Sequence, residues 1–397
     1  MSYLQETQES GRELFPDLAR AFALFGICVV NVGVMSWPMM TSYTDRAFVS
    51  PFDDAAHFGV SAFFALKSYT LFSFMFGVGF AYQMQSAAKK GVGFAGRYWR
   101  RILGLIAFGL INIAFLFQGD ILIMYAILGS ILFLFRNASP RLLSGWAIGI
   151  YAVQIALVCL LALGLWAFQS FDPAKFAQQT QDSYALADQA AEAFRSGSFS
   201  DSIAQRFTDW GTIITAGIFM QGFGAFAFFL FGYSAVKRGT ISDPSAPFWR
   251  RSRRIFLPIG IVLSGIGAWM MLQGHGSQNA TMMGGLAMIT LGSPFSTAGY
   301  LGLIAKWAET PGGTIKTFLA RGGTSSLTAY LMQGLILSLI FNGYALGQFE
   351  TWSVGTCIAI AAATAVFTIA FASLWRTQFK RGPLEYVLRA WTYLGAR

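Results

Sequence analysis

The stretch RRILGLIAFGLINIAFLFQGDILIMYAILGSILFLFR, residues 100–136, constrains this chain more than any other. Two apolar runs flank a short polar joint, Gln118-Gly119-Asp120. A bilayer crossing takes about 20 apolar residues, and each run is long enough to cross most of one. Arg100 and Arg101 stand before the pair and Arg136 after it. Basic flanks stay in the cytoplasm, so the stretch reads as a transmembrane hairpin with its tip outside. Asp120 on that tip is the only carboxylate between Asp54 and Asp172. A carboxylate at the rim of a hydrocarbon span is costly, which points to a partner or a function.

The same reading extends to the whole chain. Of 397 residues, 55% are hydrophobic and 12% charged, with a mean hydropathy of +0.53. A soluble domain carries about 25% charged residues. The net charge of +10 belongs to basic loops between apolar spans, and no nucleic-acid-binding signature accompanies it. Cys28, Cys159 and Cys357 lie in apolar segments and form no disulfide framework. The N-terminal MSYLQETQESGRELF lacks the basic region of a cleaved signal peptide.

Ten apolar spans are expected at about 18–38, 57–84, 101–117, 121–135, 142–169, 210–236, 255–273, 281–305, 322–346 and 353–375. Loop charge orients them: 22 of the 28 Lys and Arg fall on one side. Only Arg46, Lys175, Arg195 and Arg206 fall on the other, with Arg20 and Lys67 inside spans. The chain is therefore expected to be an all-α polytopic membrane protein of about ten transmembrane helices around a central polar cavity, both termini cytoplasmic. It reads as one integral-membrane domain, 1–397. Residues 170–208 form an extracytoplasmic loop in which SYALADQAAEAFRSG is either a short amphipathic helix or a solvated linker. Residues 377–397 fit a cytoplasmic interfacial helix.

Polar residues inside the spans are the candidate site. Asp17 and Arg20 are three apart and pair on one helical turn, either as an ion pair at the inner interface or as part of an anion site. Asn31 shares a stripe with Arg20, and Lys67 lies too deep for easy snorkelling, so it faces a cavity or a carboxylate, with Asp120 nearest by depth. Asn112 and Gln221 add isolated amides, and Ser326, Tyr330 and Gln333 share one helix face, as glue or as a cavity wall. GSPFSTAGY at 292–300 reads as a kink or interruption in span eight because of Pro294. His57 begins span two, and His275 is the other histidine. No Walker loop, HExxH, GxSxG or Cys/His cluster is present, so no metal is expected.

DLARAFALFGICVVN, ALKSYTLFSFMFGVGFA, GDILIMYAILG, GSPFSTAGY, LTAYLMQ and RGPLEYVLRAWT occur in this order. Together they resemble the YeiB-like family of bacterial inner-membrane proteins, a domain of unknown function, over nearly the whole chain. The resemblance implies a distant relation to transmembrane acyltransferases, such as the heparan-glucosaminide acetyltransferases and sugar O-acetyltransferases, that take acyl groups from cytoplasmic coenzyme A thioesters. Asp17, Arg20, Asn31, Lys67, Gly77, Gly119, Asp120, Tyr125, Tyr330, Gln333, Gly382, Pro383 and Glu385 follow the family pattern. The chain departs from it at Asn112, where the family has histidine, and at Ala21, where it has glycine.

Two functions follow as expectations. One is an inner-membrane acyltransferase. Here Arg97, Arg100 and Arg101 receive the phosphates of acyl-coenzyme A, Arg20, Asn31, Lys67, Asn112, Tyr125, Gln221, Tyr330 and Gln333 bind substrate, and His57 or Asp120 takes the acceptor's proton. The alternative is a transporter or lipid-binding membrane protein without enzymatic activity. Membrane lipids are the expected partners, a homodimer is a candidate assembly, and nucleic acid is excluded.

Overall fold

The architecture comes from a computed structural model that describes residues 14–274 and 279–394. The N-terminal segment with Arg12, the loop with His275, and Arg397 lie outside the described residues. The described chain is helical, with no strand. In chain order the helices are α1 Leu14–Ser36, α2 Pro51–Phe63, α3 Lys67–Lys89, α4 Phe94–Phe115, α5 Leu122–Leu132, α6 Pro140–Phe171, α7 Pro173–Arg195, α8 Phe199–Gly217, α9 Phe223–Lys237, α10 Pro247–Arg251, α11 Leu257–Gln273, α12 Ala280–Glu309, α13 Thr314–Gly323, α14 Ser326–Phe341, α15 Val354–Gln378 and α16 Pro383–Thr392.

Joined across short breaks, these give eight helices long and apolar enough to cross a membrane. A ninth arises if α13 and α14, which meet at 81°, count as one broken span. The helix over Leu122–Phe135 is apolar but shorter. The protein is thus a multi-pass membrane protein. Each of the ten apolar runs in the sequence falls on one of these helices or on the bent pair.

Close backbone contact holds the centre. A Cβ on Gly77 of α3 would stand 2.0 Å from the Phe229 carbonyl oxygen, and one on Gly232 of α9 would stand 2.0 Å from that of Phe74. The two helices therefore touch backbone to backbone, the contact that small residues allow between membrane helices. Phe76 stacks on Phe229 beside it, with centroids 4.3 Å apart.

Two features differ from the sequence expectation. Of the kink or interruption expected at Pro294, the interruption does not form: α12 runs as one helix through it. Proline removes the N–H that would bond the Thr290 carbonyl. Tyr151 of α6 supplies the missing donor, its hydroxyl reaching Thr290 O at 2.9 Å. The break falls instead at residues 64–66, between α2 and α3, where Leu66 has a φ of +61°. Ala65 N bonds Val60 O there, not Ser61 O. The Ser61 carbonyl so released accepts from Lys67 Nζ at 3.0 Å, and Leu66 O accepts from Ser293 Oγ at 3.0 Å.

Within 170–208, expected to hold either a short helix or a linker, the helix forms and is longer: it is α7, capped by Asp172 at its start and followed by α8 with a Ser198–Asp201 capping box. The C-terminal helix α16 packs on α4 and α14.

Candidate functional site

A cavity of about 870 Å³ opens among α1, α3, α4, α5, α14 and α16. One stripe of α3 lines its length, Phe72, Met75, Phe76, Gly79, Tyr82, Gln83, Gln85, Ser86 and Lys89, with Lys90 just past its end. These recur every three or four residues, as one helix face must. From Phe72 to Lys89 the stripe runs about 26 Å at 1.5 Å per residue. The walls are apolar and aromatic at one end and basic at the other.

Arg20, Lys89, Lys90, Arg101, Arg381 and Arg389 line the cavity, against two carboxylates, Asp17 and Glu385. Both carboxylates are already engaged. Asp17 pairs with Arg20 at 2.8 Å, as their spacing suggests. Glu385 reaches from α16 to the start of α14 and accepts from Leu327 N at 2.7 Å, Thr328 N at 3.2 Å and Thr328 Oγ1 at 2.5 Å. A carboxylate at a helix N-terminus is favourable and satisfies otherwise orphaned N–H groups. The basic end is therefore strongly electropositive and suits phosphate or another anion.

At the apolar end the wall includes Tyr125 and Tyr330. Tyr125 Oη lies 2.6 Å from Ser73 Oγ and donates to Tyr69 O at 3.1 Å. Asn112 Nδ2 lies 3.4 Å from Tyr330 Oη and donates to Asp120 Oδ1 at 2.8 Å. The other Asp120 oxygen accepts from Ile123 N at 2.8 Å, capping the first turn of α5. Gly109 makes room for it: a Cβ there would stand 2.8 Å from Asp120 Oδ2. Asn112 and Asp120 are 1% and 6% exposed, so a buried Tyr330–Asn112–Asp120 line runs from the cavity wall to the hairpin tip.

Of the other residues singled out in the sequence, Arg101 joins this cavity, and Arg97 and Arg100 do not. Arg97 lies 4.9 Å over the Tyr393 ring, Arg100 bonds Leu394 O, and Trp391 Nε1 donates to Arg100 O at 2.7 Å. They fasten the C-terminal segment onto α4. Lys67 is buried and bonded to Ser61 O; the pairing with Asp120 does not form, because each group is taken up by backbone or amide partners beside it. His57 packs edge-on against Tyr43 and Phe48 and does not line the cavity. Asn31 and Gln221 stay outside it as well. Gln333 is helix glue, donating to Thr368 Oγ1 at 3.2 Å and Leu24 O at 3.4 Å.

Sequence reasoning passed over Gln154. This lone amide in an apolar run donates to Phe219 O and Met220 O at 3.1 and 2.6 Å and accepts from Gly224 N at 3.1 Å. It clamps the π-helical turn at Ile218–Gly222 that joins α8 to α9. A single glutamine mid-span was the available signal. Among the described residues no cluster of three His, Cys, Asp or Glu could hold a metal.

Residues 235–395 match a family described as a protein of unknown function, DUF418. Over 412 residues the chain is 30% identical to the uncharacterized protein YxaH of Bacillus subtilis (strain 168), covering 99% of this chain and 97% of that one. The chain belongs to the YeiB-like, DUF418-containing family. It is also 24% identical to the uncharacterized protein YeiB of Escherichia coli (strain K12), over 97% of both chains. A Bacillus acidopullulyticus protein, the uncharacterized 39.9 kDa protein in the amylase 3′ region, is 35% identical over 162 residues, or 38% of this chain and 44% of that one. No solved structure matches. Asp17, Arg20, Tyr330 and Glu385 thus line one cavity, and Asp120 is joined to its wall through Asn112.

Proposed function

We propose that this YeiB-like protein is a bacterial inner-membrane acyltransferase, crossing the membrane ten times with both termini in the cytoplasm. Its cavity takes an acyl-coenzyme A thioester from the cytoplasmic side and the acyl group passes to an acceptor near the Asp120 tip. The polarity of the cavity carries this reading: six cations stand at its walls against two engaged carboxylates, and an aromatic channel leads on from them. Its volume lies within the roughly 300–1,000 Å³ range of ligand pockets. Phosphates suit the basic end and an acyl chain the apolar one.

In the transfer, the acceptor oxygen or nitrogen attacks the thioester carbonyl. The new C–O or C–N bond forms, the C–S bond breaks, and the acceptor's proton passes through Asp120 to the departing thiolate. Asn112 orients Asp120 but cannot itself accept a proton near neutral pH. His57, packed between aromatic rings, has no part in this reading.

The test is made on purified protein. Acetyl-coenzyme A should bind, more weakly at high salt, and Arg101→Gln should weaken it at least tenfold. Asp120→Asn should bind as wild type does and transfer no labelled acetyl group. Absence of binding by wild type refutes the proposal. Binding without transfer under any acceptor mixture leaves a lipid- or anion-binding protein instead. For orientation, cysteines placed within 173–195 should react with an impermeant maleimide in intact cells, and those within 237–254 should not; the reverse pattern inverts the topology.

A further inference from the structure

At the other end of the bundle lies a cation that the acyl-transfer reading does not use. Arg206 of α8 meets Ala114 near the C-terminal end of α4, about 26 Å along that helix from Arg97 at 1.5 Å per residue. Its side chain is 0% exposed. Nη1 donates to Ala114 O at 3.3 Å and Nη2 to Tyr344 Oη at 3.1 Å. The Phe194 and Tyr344 rings each lie 5.8 Å from the guanidinium carbon. Nε has no partner, and among the described residues no carboxylate lies within ion-pair distance. A guanidinium has five N–H donors and stays charged, so neutral acceptors and ring faces leave its charge uncompensated.

Arg206 borders a small pocket of about 10 Å³, lined also by Phe117, Phe194 and Phe349 and by two amides, Gln118 and Asn342. Gln118 Nε2 donates to Val34 O at 3.5 Å and Asn342 Nδ2 to Ser338 O at 2.8 Å, so each amide nitrogen keeps a second N–H. A buried cation, two amide donors and aromatic walls thus surround a space for one atom-sized guest. Water would leave the charge unpaired.

We infer that Arg206, Gln118 and Asn342 hold a single monovalent anion of halide size. The anion would tie α8 and the end of α14 to the hairpin tip, two residues from Asp120. This inference is independent of acyl transfer.

Thermal melting tests it, on purified protein at constant ionic strength with gluconate replaced stepwise by chloride or bromide. Wild type should gain a saturable rise in melting temperature of several degrees. Arg206→Gln should lose that rise, and Arg101→Gln, at the basic cavity, should keep it. Crystals of wild type grown in bromide should give an anomalous peak beside the Arg206 guanidinium, a readout that does not require the variant to fold. Equal melting of wild type in gluconate and chloride overturns the inference. So does a halide effect lost in Arg101→Gln instead, or a bromide data set with only water beside Arg206.

Discussion

Tyr151→Phe removes one oxygen atom and tests how α12 stays unbroken through Pro294. The Thr290 carbonyl has lost its helical donor to proline and has the Tyr151 hydroxyl at 2.9 Å in its place. Tyr151 and Thr290 are 4% and 2% exposed, so water does not replace the hydroxyl. The phenyl ring keeps its edge contact with Phe228, at 5.8 Å between centroids, so packing is preserved. A buried carbonyl left without a donor costs about 1–3 kcal/mol. Interhelical hydrogen bonds in membranes average roughly 0.6 kcal/mol and reach about 1.7, so a loss of about 1–2 kcal/mol is expected. In a Pro294→Ala background the restored N–H bonds Thr290 O, and the same Tyr151→Phe change should cost less than about 0.5 kcal/mol, a coupling of about 1 kcal/mol. The assay is a four-member double-mutant cycle of reversible detergent-denaturation titrations. Equal costs in the two backgrounds would refute the argument, because the hydroxyl would then not be serving the carbonyl that proline orphans.

Gly77→Ala and Gly232→Ala each place a methyl 2.0 Å from a carbonyl oxygen of the facing helix and should destabilise by at least about 1–3 kcal/mol in the same titration. Lys67→Met should fall within about 1 kcal/mol of wild type and bind acetyl-coenzyme A unchanged, since it strands one carbonyl but removes a buried charge; lost binding would make Lys67 a ligand group. Asn112→His puts an imidazole beside Asp120 and should keep or raise acetyl transfer in a radiolabel assay; loss of transfer in a folded variant would show that the amide itself is required.

The sequence determined what is local in this protein. Span length and hydropathy are sums along the chain, and the i,i+3 pairing of Asp17 with Arg20 is a property of one helical turn. The polar joint at 118–120, the C-terminal helix and the family pattern are legible for the same reason. Only the tertiary structure decided which groups at equal depth face each other. Lys67 within a span and Asp120 at the end of one match by depth, yet depth is a single coordinate and the rotation of each helix about its axis is set by packing. Lys67 therefore turned to a carbonyl released six residues upstream, and Asp120 to Asn112 on the preceding helix. Pro294 shows the converse: its local rule predicts a break, but a hydroxyl from α6 meets the orphaned carbonyl. Arg206 reads in sequence as one of four stray outer charges, and only the closing of α4, α8 and the end of α14 around it makes it a buried cation. Long-range partners are chosen by how apolar faces and small residues pack, and no window of a single sequence contains that choice.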